Sequence, residues 1–194
     1  SVLIGVTASA VTAKDAGTYQ NTATGTDKNY DLTFVNGELD IAKAQATVTG
    51  NSLNTTYNGQ DQTITGFTVQ GLVNGETTSV LSGVTATVTG KDAGSYANKA
   101  SGVDKNYDLT LIDGSLDIAK AKATVTANSV NTTYNGKGQT ATGFSATGLV
   151  NGETLSVLSG ITVTVTGKDA DQYTNKATGT DQNYELSFID GSLD

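Results

Sequence analysis

The sequence copies itself at a fixed interval. Tyr30, Tyr107 and Tyr184 stand about 77 residues apart, as do Tyr19, Tyr96 and Tyr173, and likewise Tyr57 and Tyr134. No residue is inserted or deleted between copies, and aligning 42–117 with 119–194 gives roughly seven identical positions in ten. Whatever one copy folds into, its neighbour folds into as well, and so short a stretch buries little core on its own. The chain therefore reads as residues 1–40, matching the C-terminal half of a copy, followed by full copies over 41–117 and 118–194. Because it starts in mid-copy, it is expected to be a piece of a longer protein.

Each copy carries a period of two. Ile161-Thr162-Val163-Thr164-Val165-Thr166 alternates strictly, which is the pattern of a half-buried strand with Ile and Val inward and Thr outward. No helical period competes with it. Turn dipeptides punctuate the runs: Asn36-Gly37, Asn58-Gly59, Asn74-Gly75, Asn135-Gly136, Asn151-Gly152, Asp113-Gly114 and Asp190-Gly191. Such pairs accept the positive φ of type I′ hairpin turns. The clearest predicted hairpin runs from Tyr107 to Ile112, turns at Asp113-Gly114 and returns along Ser115–Ile118. About six or seven short strands per copy are expected, forming a reduced two-sheet sandwich. The predicted fold is all-β, with tandem small immunoglobulin-like β-sandwich repeats of about 77 residues joined end to end.

A second signature supports the sandwich. Lys14-Asp15-Ala16-Gly17-Thr18-Tyr19 recurs as Lys91-Asp92-Ala93-Gly94-Ser95-Tyr96, and loosely as Lys168-Asp169-Ala170-Asp171-Gln172-Tyr173. An Asp-x-Gly-x-Tyr turn is how immunoglobulin-like domains enter strand F, with Tyr forming a corner. This predicts structural roles for Asp15, Asp92, Asp169, Tyr19, Tyr96 and Tyr173. Where antibody domains carry Cys, this chain has Asn21, Asn98 and Asn175. The connections Ile41-Ala42-Lys43-Ala44 and Ile118-Ala119-Lys120-Ala121 contain no Gly or Pro and are not flexible linkers. They predict a semi-rigid rod, each copy adding on the order of 30–40 Å from strand rise.

The order Thr56-Tyr57-Asn58-Gly59, then Gly71-Leu72-Val73-Asn74-Gly75-Glu76, then Asn106-Tyr107 through Gly114-Ser115-Leu116-Asp117-Ile118 resembles the MBG and YDG-type repeats of bacterial surface proteins. Many of those are filamentous-haemagglutinin-like or other large adhesins. The resemblance covers both full copies and the half copy. It implies an exported cell-surface protein with such units in tandem, and no catalytic residues to carry over.

Composition narrows the chemistry. The chain has no His, Cys, Trp, Met, Pro or Arg. It therefore lacks a His-activated nucleophile, imidazole or thiolate metal ligands and a disulfide framework. A formal net charge of −8 spread along the chain disfavours nucleic acid and anionic membrane surfaces. No stretch is long and apolar enough to span a bilayer as a helix.

Several repeated groups are candidates for chemistry. Asp27, Asn29 and Asp31 look like the start of a Ca²⁺ loop, repeated as Asp104, Asn106 and Asp108 and as Asp181, Asn183 and Glu185. An EF-hand needs Gly at position six and Glu at twelve. Here position six is Leu32, Leu109 or Leu186, so the reading preferred is a turn whose Asp and Asn side chains bond nearby backbone. Lys14, Lys91 and Lys168 recur with Asn29, Asn106 and Asn183, the residue types of an isopeptide crosslink, though Lys is seldom buried. Asn54-Thr55-Thr56 and Asn131-Thr132-Thr133 are formal glycosylation sequons. Tyr57, Phe67, Tyr96 and Tyr107 are assigned to core and corner positions rather than to a sugar platform.

The expected function is a structural stalk or spacer of a secreted or cell-surface bacterial adhesin, with no enzymatic activity and no required cofactor. Its partners would be the neighbouring repeats, with host or matrix glycans or proteins engaged through other domains. Two alternatives are weak multivalent carbohydrate- or protein-binding modules acting through avidity and, more distantly, an accessory module of a secreted glycosidase.

Overall fold

The computed structural model describes residues 5–194. Residues 1–4, at the start of the expected half copy, lie outside the described residues.

Alternation sets the strands. Along Ala121–Ala127, Ala121, Ala123, Val125 and Ala127 are buried while Lys122 is exposed. Along Ile161–Gly167, Val163 is buried and Thr162, Thr164 and Thr166 face solvent. Thr suits that outer face because its β-branch fits the pleated surface.

The half copy forms β1 (Thr7–Ala8), β2 (Gly17–Asn21), β3 (Ala23–Thr24) and β4 (Gly37–Ile41). The second copy forms β5 (Ala44–Gly50), β6 (Leu53–Thr56), β7 (Gln62–Thr65), β8 (Phe67–Gln70), β9 (Thr85–Gly90), β10 (Gly94–Asn98), β11 (Ala100–Ser101), β12 (Tyr107–Ile112) and β13 (Gly114–Ala119). The third forms β14 (Ala121–Ala127), β15 (Gln139–Thr142), β16 (Phe144–Thr147), β17 (Ile161–Gly167), β18 (Tyr173–Asn175), β19 (Ala177–Gly179), β20 (Tyr184–Ile189) and β21 (Gly191–Leu193). One-turn 3-10 helices occupy Thr78–Val80 and Leu155–Val157. The chain is an all-β tandem repeat.

The second copy builds three three-stranded sheets, ordered β12-β5-β8, β10-β13-β6 and β11-β9-β7. β5 and β6 are successive stretches of one extended path, and β12 and β13 of another. The two paths run parallel in a single register, with Tyr107 opposite Ala44 in one sheet and Leu116 opposite Leu53 in the next. The third copy repeats this, pairing Ala121 with Tyr184 and bridging Val130 to Leu193.

This pairing corrects the predicted hairpin. β12 and β13 bond to different strands, and Gly114 is not among the positive-φ glycines. Asp113-Gly114 is a point where an extended path changes sheets. Glycine stands there for close approach: a Cβ on Gly114 would land on the carbonyl oxygens of Gly50 and Asn51. Such breaks also divide the expected six or seven strands of the second copy into nine shorter ones. Asn74-Gly75 does take positive φ, 53° and 71°, with the Glu76 N–H donating to the Val73 carbonyl at 3.0 Å. That is a type I′ turn, but it leads into a 3-10 turn rather than back along a strand.

Two compact units result. One comprises residues up to 49, with 67–86 and 100–112; the other comprises 50–66, 87–99 and 113–194. The second copy thus contributes β12-β5-β8 to the first unit and β10-β13-β6 to the second, with β9 divided between them. In the first unit Ala46, Val48, Leu81, Val84, Ala100 and Tyr107 form the core, with Phe67, Val69, Leu72 and Leu109 against it. In the second, Leu116, Ile118, Val125, Leu158, Val163 and Tyr184 are among the buried residues. Tyr30 is 53% exposed, whereas its counterparts Tyr107 and Tyr184 are 3% and 2% exposed. Tyr107 and Tyr184 open strands that pair with β5 and β14.

Candidate functional site at the junction between copies

Consecutive copies meet through the same side chains twice, and each junction lies inside one compact unit. In the first unit the Asn106 Oδ1 accepts the Ala16 N–H at 2.9 Å, and its Nδ2 donates to Asp15 Oδ1 at 3.1 Å. In the second unit Asn183 Oδ1 accepts the Ala93 N–H at 2.8 Å, and its Nδ2 donates to Asp92 Oδ1 at 3.0 Å. The linker lysines join in, Lys43 Nζ donating to the Asp104 carbonyl at 2.7 Å and Lys120 Nζ to the Asp181 carbonyl at 2.6 Å. Lys120 is the one residue between β13 and β14.

Both sides of the contact are held locally. The Tyr19 hydroxyl donates to the Asp15 carbonyl at 2.9 Å, and Tyr96 to that of Asp92 at 2.9 Å. Tyr173 stands 3.4 Å from the Asp169 carbonyl, in the copy where Asp171 replaces glycine. These bonds brace the turn that presents Asp15 or Asp92 to the next copy. On the other side, Asp104 Oδ1 accepts the N–H groups of Asn106 and Tyr107 at 2.7 and 3.0 Å, and Asp181 does the same for Asn183 and Tyr184. In the half copy Asp27 Oδ1 accepts the Asn29 N–H at 2.8 Å, and Asp31 is exposed. Asp108 accepts a bond from Gln45 Nε2 at 3.0 Å. Of the side chains singled out for Ca²⁺, Asp27, Asp104, Asn106, Asp108, Asp181 and Asn183 are thus engaged with separate partners. Among the described residues no group of three or more acidic side chains is gathered as metal ligands. The Asn106 and Asn183 amides, singled out for crosslinking to Lys, are bonded to Asp15 and Asp92 instead. Lys105 Nζ lies 2.7 Å from Asp15 Oδ2. That bond, with the one from Asn106, holds the Asp15 carboxyl below its ordinary range. The pair is well exposed and contributes little to stability.

A third contact was not legible as a site. Tyr57 donates its hydroxyl to Glu153 Oε1, and Tyr184 donates to Glu153 Oε2, each at 2.5 Å. The two rings meet edge to face with centroids 5.5 Å apart. The Val150 N–H bonds the Tyr184 oxygen at 2.9 Å, so the type I′ turn carrying Asn151-Gly152 also positions the carboxylate. Burial first, and then the bond to Glu153, push the Tyr184 phenol up to about 12. Burial and Glu153 raise Tyr57 as well. The available signal was the acid closing Gly-Leu-Val-Asn-Gly-Glu in both full copies.

Asn98 and Asn175, at the antibody cysteine positions, are wholly buried. Asn98 Nδ2 donates to the Asn51 carbonyl at 2.9 Å, and Asn175 Nδ2 to that of Asn128 at 2.8 Å. Each thus ties the bend where the first path of its copy changes sheets.

Strands that cross between sheets and a contact set reproduced one copy along define a tandem β-repeat module. The family model described as MBG domain (YGX type) matches residues 46–117 and 123–194. These matches span most of the chain, which belongs to that family. Comparison with curated proteins and with solved structures gave no match.

Proposed function

We propose that this chain is a spacer: a run of MBG repeats in the stalk of a secreted or cell-surface bacterial adhesin, holding other domains away from the cell or building a fibre. The supporting observation is the repeated junction. Asp15 with Asn106 and Asp92 with Asn183 make the same contact one copy apart, beside linkers of one or two residues. Such a module needs no catalytic centre and no bound cofactor, and its first partners are its own neighbours in the array. Ligands on host or matrix belong to other domains of the parent protein.

Small-angle scattering of arrays of two and four full copies tests this. A spacer gives a maximum dimension that grows linearly with copy number, by on the order of 30–40 Å per copy, and is unchanged by Ca²⁺ or chelator. Dimensions that follow flexible-chain scaling, or that extend only with Ca²⁺, overturn it.

A further inference from the structure

The first and last paths of each full copy lie side by side and run in the same direction. In the third copy Ala121–Thr126 pairs in parallel with Tyr184–Ile189. In the second, Ala44–Thr49 pairs with Tyr107–Ile112, and Leu53–Thr56 with Leu116–Ala119. The break where the paths change sheets is bridged by side chains. The Ser115 N–H donates to Ser52 Oγ at 3.0 Å, and the Ser192 N–H to Ser129 Oγ at 3.0 Å, each across 63 residues of sequence. Ala44 with Tyr107, Leu53 with Leu116 and Ala121 with Tyr184 keep that same separation, so the ladder does not slip at the break.

The ladder is fastened where the chain enters and leaves it. The Ala44 N–H donates to the Asn106 carbonyl at 2.9 Å, and the Ala121 N–H to that of Asn183 at 2.9 Å. Lys43 and Lys120 hold the carbonyls of Asp104 and Asp181 beside these bonds. At the far end of the second copy the Tyr57 N–H donates to the Ala119 carbonyl at 2.8 Å. Only Lys120 then separates β13 from β14.

Parallel order decides how such a ladder meets tension. A pull along the chain draws the first path of a copy towards its own start and the last path towards its own end. Parallel neighbours are then dragged past one another along the strand axis, and the evenly spaced bonds between them are strained together. Antiparallel terminal strands, pulled from two ends at the same edge, would lose their bonds one after another. We infer that the parallel pairs β5–β12 and β14–β20 are mechanical clamps, which let each copy resist tension in shear as well as set a distance. The inference rests on the spacer reading, which places the chain under tension. A copy that buries little core can still resist force, because forced unfolding follows the unfolding barrier and not the equilibrium stability.

Single-molecule pulling in two directions tests this on the full 194-residue chain, whose lack of cysteine lets an introduced pair define the points of pull. Lys122, Glu185 and Ile189 are exposed, and Lys122 stands opposite Glu185. Handles on Lys122→Cys with Ile189→Cys load β14 against β20 along the strands. Handles on Lys122→Cys with Glu185→Cys peel the same two strands apart from one end. At one loading rate the first pair should rupture at a force at least about twofold higher, although both double variants should share one urea midpoint. Gln45→Cys with Ile112→Cys, against Gln45→Cys with Asp108→Cys, repeats the comparison on β5 and β12 in the other compact unit. Equal forces in the two directions, or a weaker pull along the strands, would overturn the clamp and leave the scattering test of the spacer untouched.

Discussion

Asn183 and Asp92 are 91 residues apart in sequence, yet the amide of one donates to the carboxylate of the other at 3.0 Å. The same amide oxygen accepts the Ala93 N–H, so one side chain closes two bonds onto the preceding copy. Asn183→Ala removes both and leaves a part-buried N–H unsatisfied. The expected cost is about 1–3 kcal/mol, read as a lower urea midpoint with an unchanged denaturant slope. Lys105→Ala, which breaks only the exposed pair with Asp15, should shift the midpoint far less. Asn106→Ala shares its junction with Lys105, and equal shifts for those two variants would mean that this junction is held by surface charge instead of by the asparagine.

The two phenols on Glu153 predict loss of stability in alkali. Tyr184 titrates near its ordinary 10 when unfolded and at about 12 when folded. Its contribution is therefore fully present below pH 10. Above that the unfolded chain loses a proton that the folded chain keeps, so stability falls as pH rises towards about 12. The raised Tyr57 acts in the same direction. Denaturation series across this range should show a steeper decline for the wild type than for Tyr57→Phe with Tyr184→Phe. Parallel curves would remove Glu153 and its tyrosines from the account.

Asn98 is wholly buried, with its amide on the Asn51 carbonyl. Asn98→Ala leaves that carbonyl without its side-chain donor and opens a cavity, for about 2–4 kcal/mol. Asn98→Asp should be at least as damaging, because a carboxylate has no N–H to offer and would bury a charge. Thermal unfolding of both variants checks the order. A neutral Asn98→Asp would show that the buried amide bond is not what holds the bend.

The sequence made the tandem β-architecture legible because alternation and copying are local properties. Ile161–Gly167 alternates in the structure as it does on the page. What it could not show was partnership. The parallel pairing of β5 with β12 joins residues 63 apart, as Ala44 with Tyr107, and no dipeptide records such a pairing. Glu76 and Glu153 were repeated but unremarkable, because their meaning depends on Tyr107, Tyr184 and Tyr57 arriving from elsewhere in the chain. Conversely, the Asp and Asn side chains of 104–108 carry metal-loop residue types, yet those of Asp104 and Asn106 serve a turn and a junction. Residue type alone cannot separate these uses.

Gly114 and Gly75 put that distinction to a direct measurement. Both follow Asp or Asn, and both read as turn glycines. Gly75 has φ of 71° with open space where a Cβ would stand. Gly75→Ala should therefore meet only the left-handed backbone penalty of about 1–2 kcal/mol. Gly114 lies at ordinary φ, but a Cβ there would collide with backbone oxygens of Gly50 and Asn51. Relief requires separating two paired paths, because no flexible side chain is available to move. Gly114→Ala should cost at least about 3 kcal/mol and exceed Gly75→Ala in the same urea series. A hairpin at Asp113-Gly114 predicts the opposite, two similar and modest losses. The ordering of the two midpoints thus decides between a turn and a crossing.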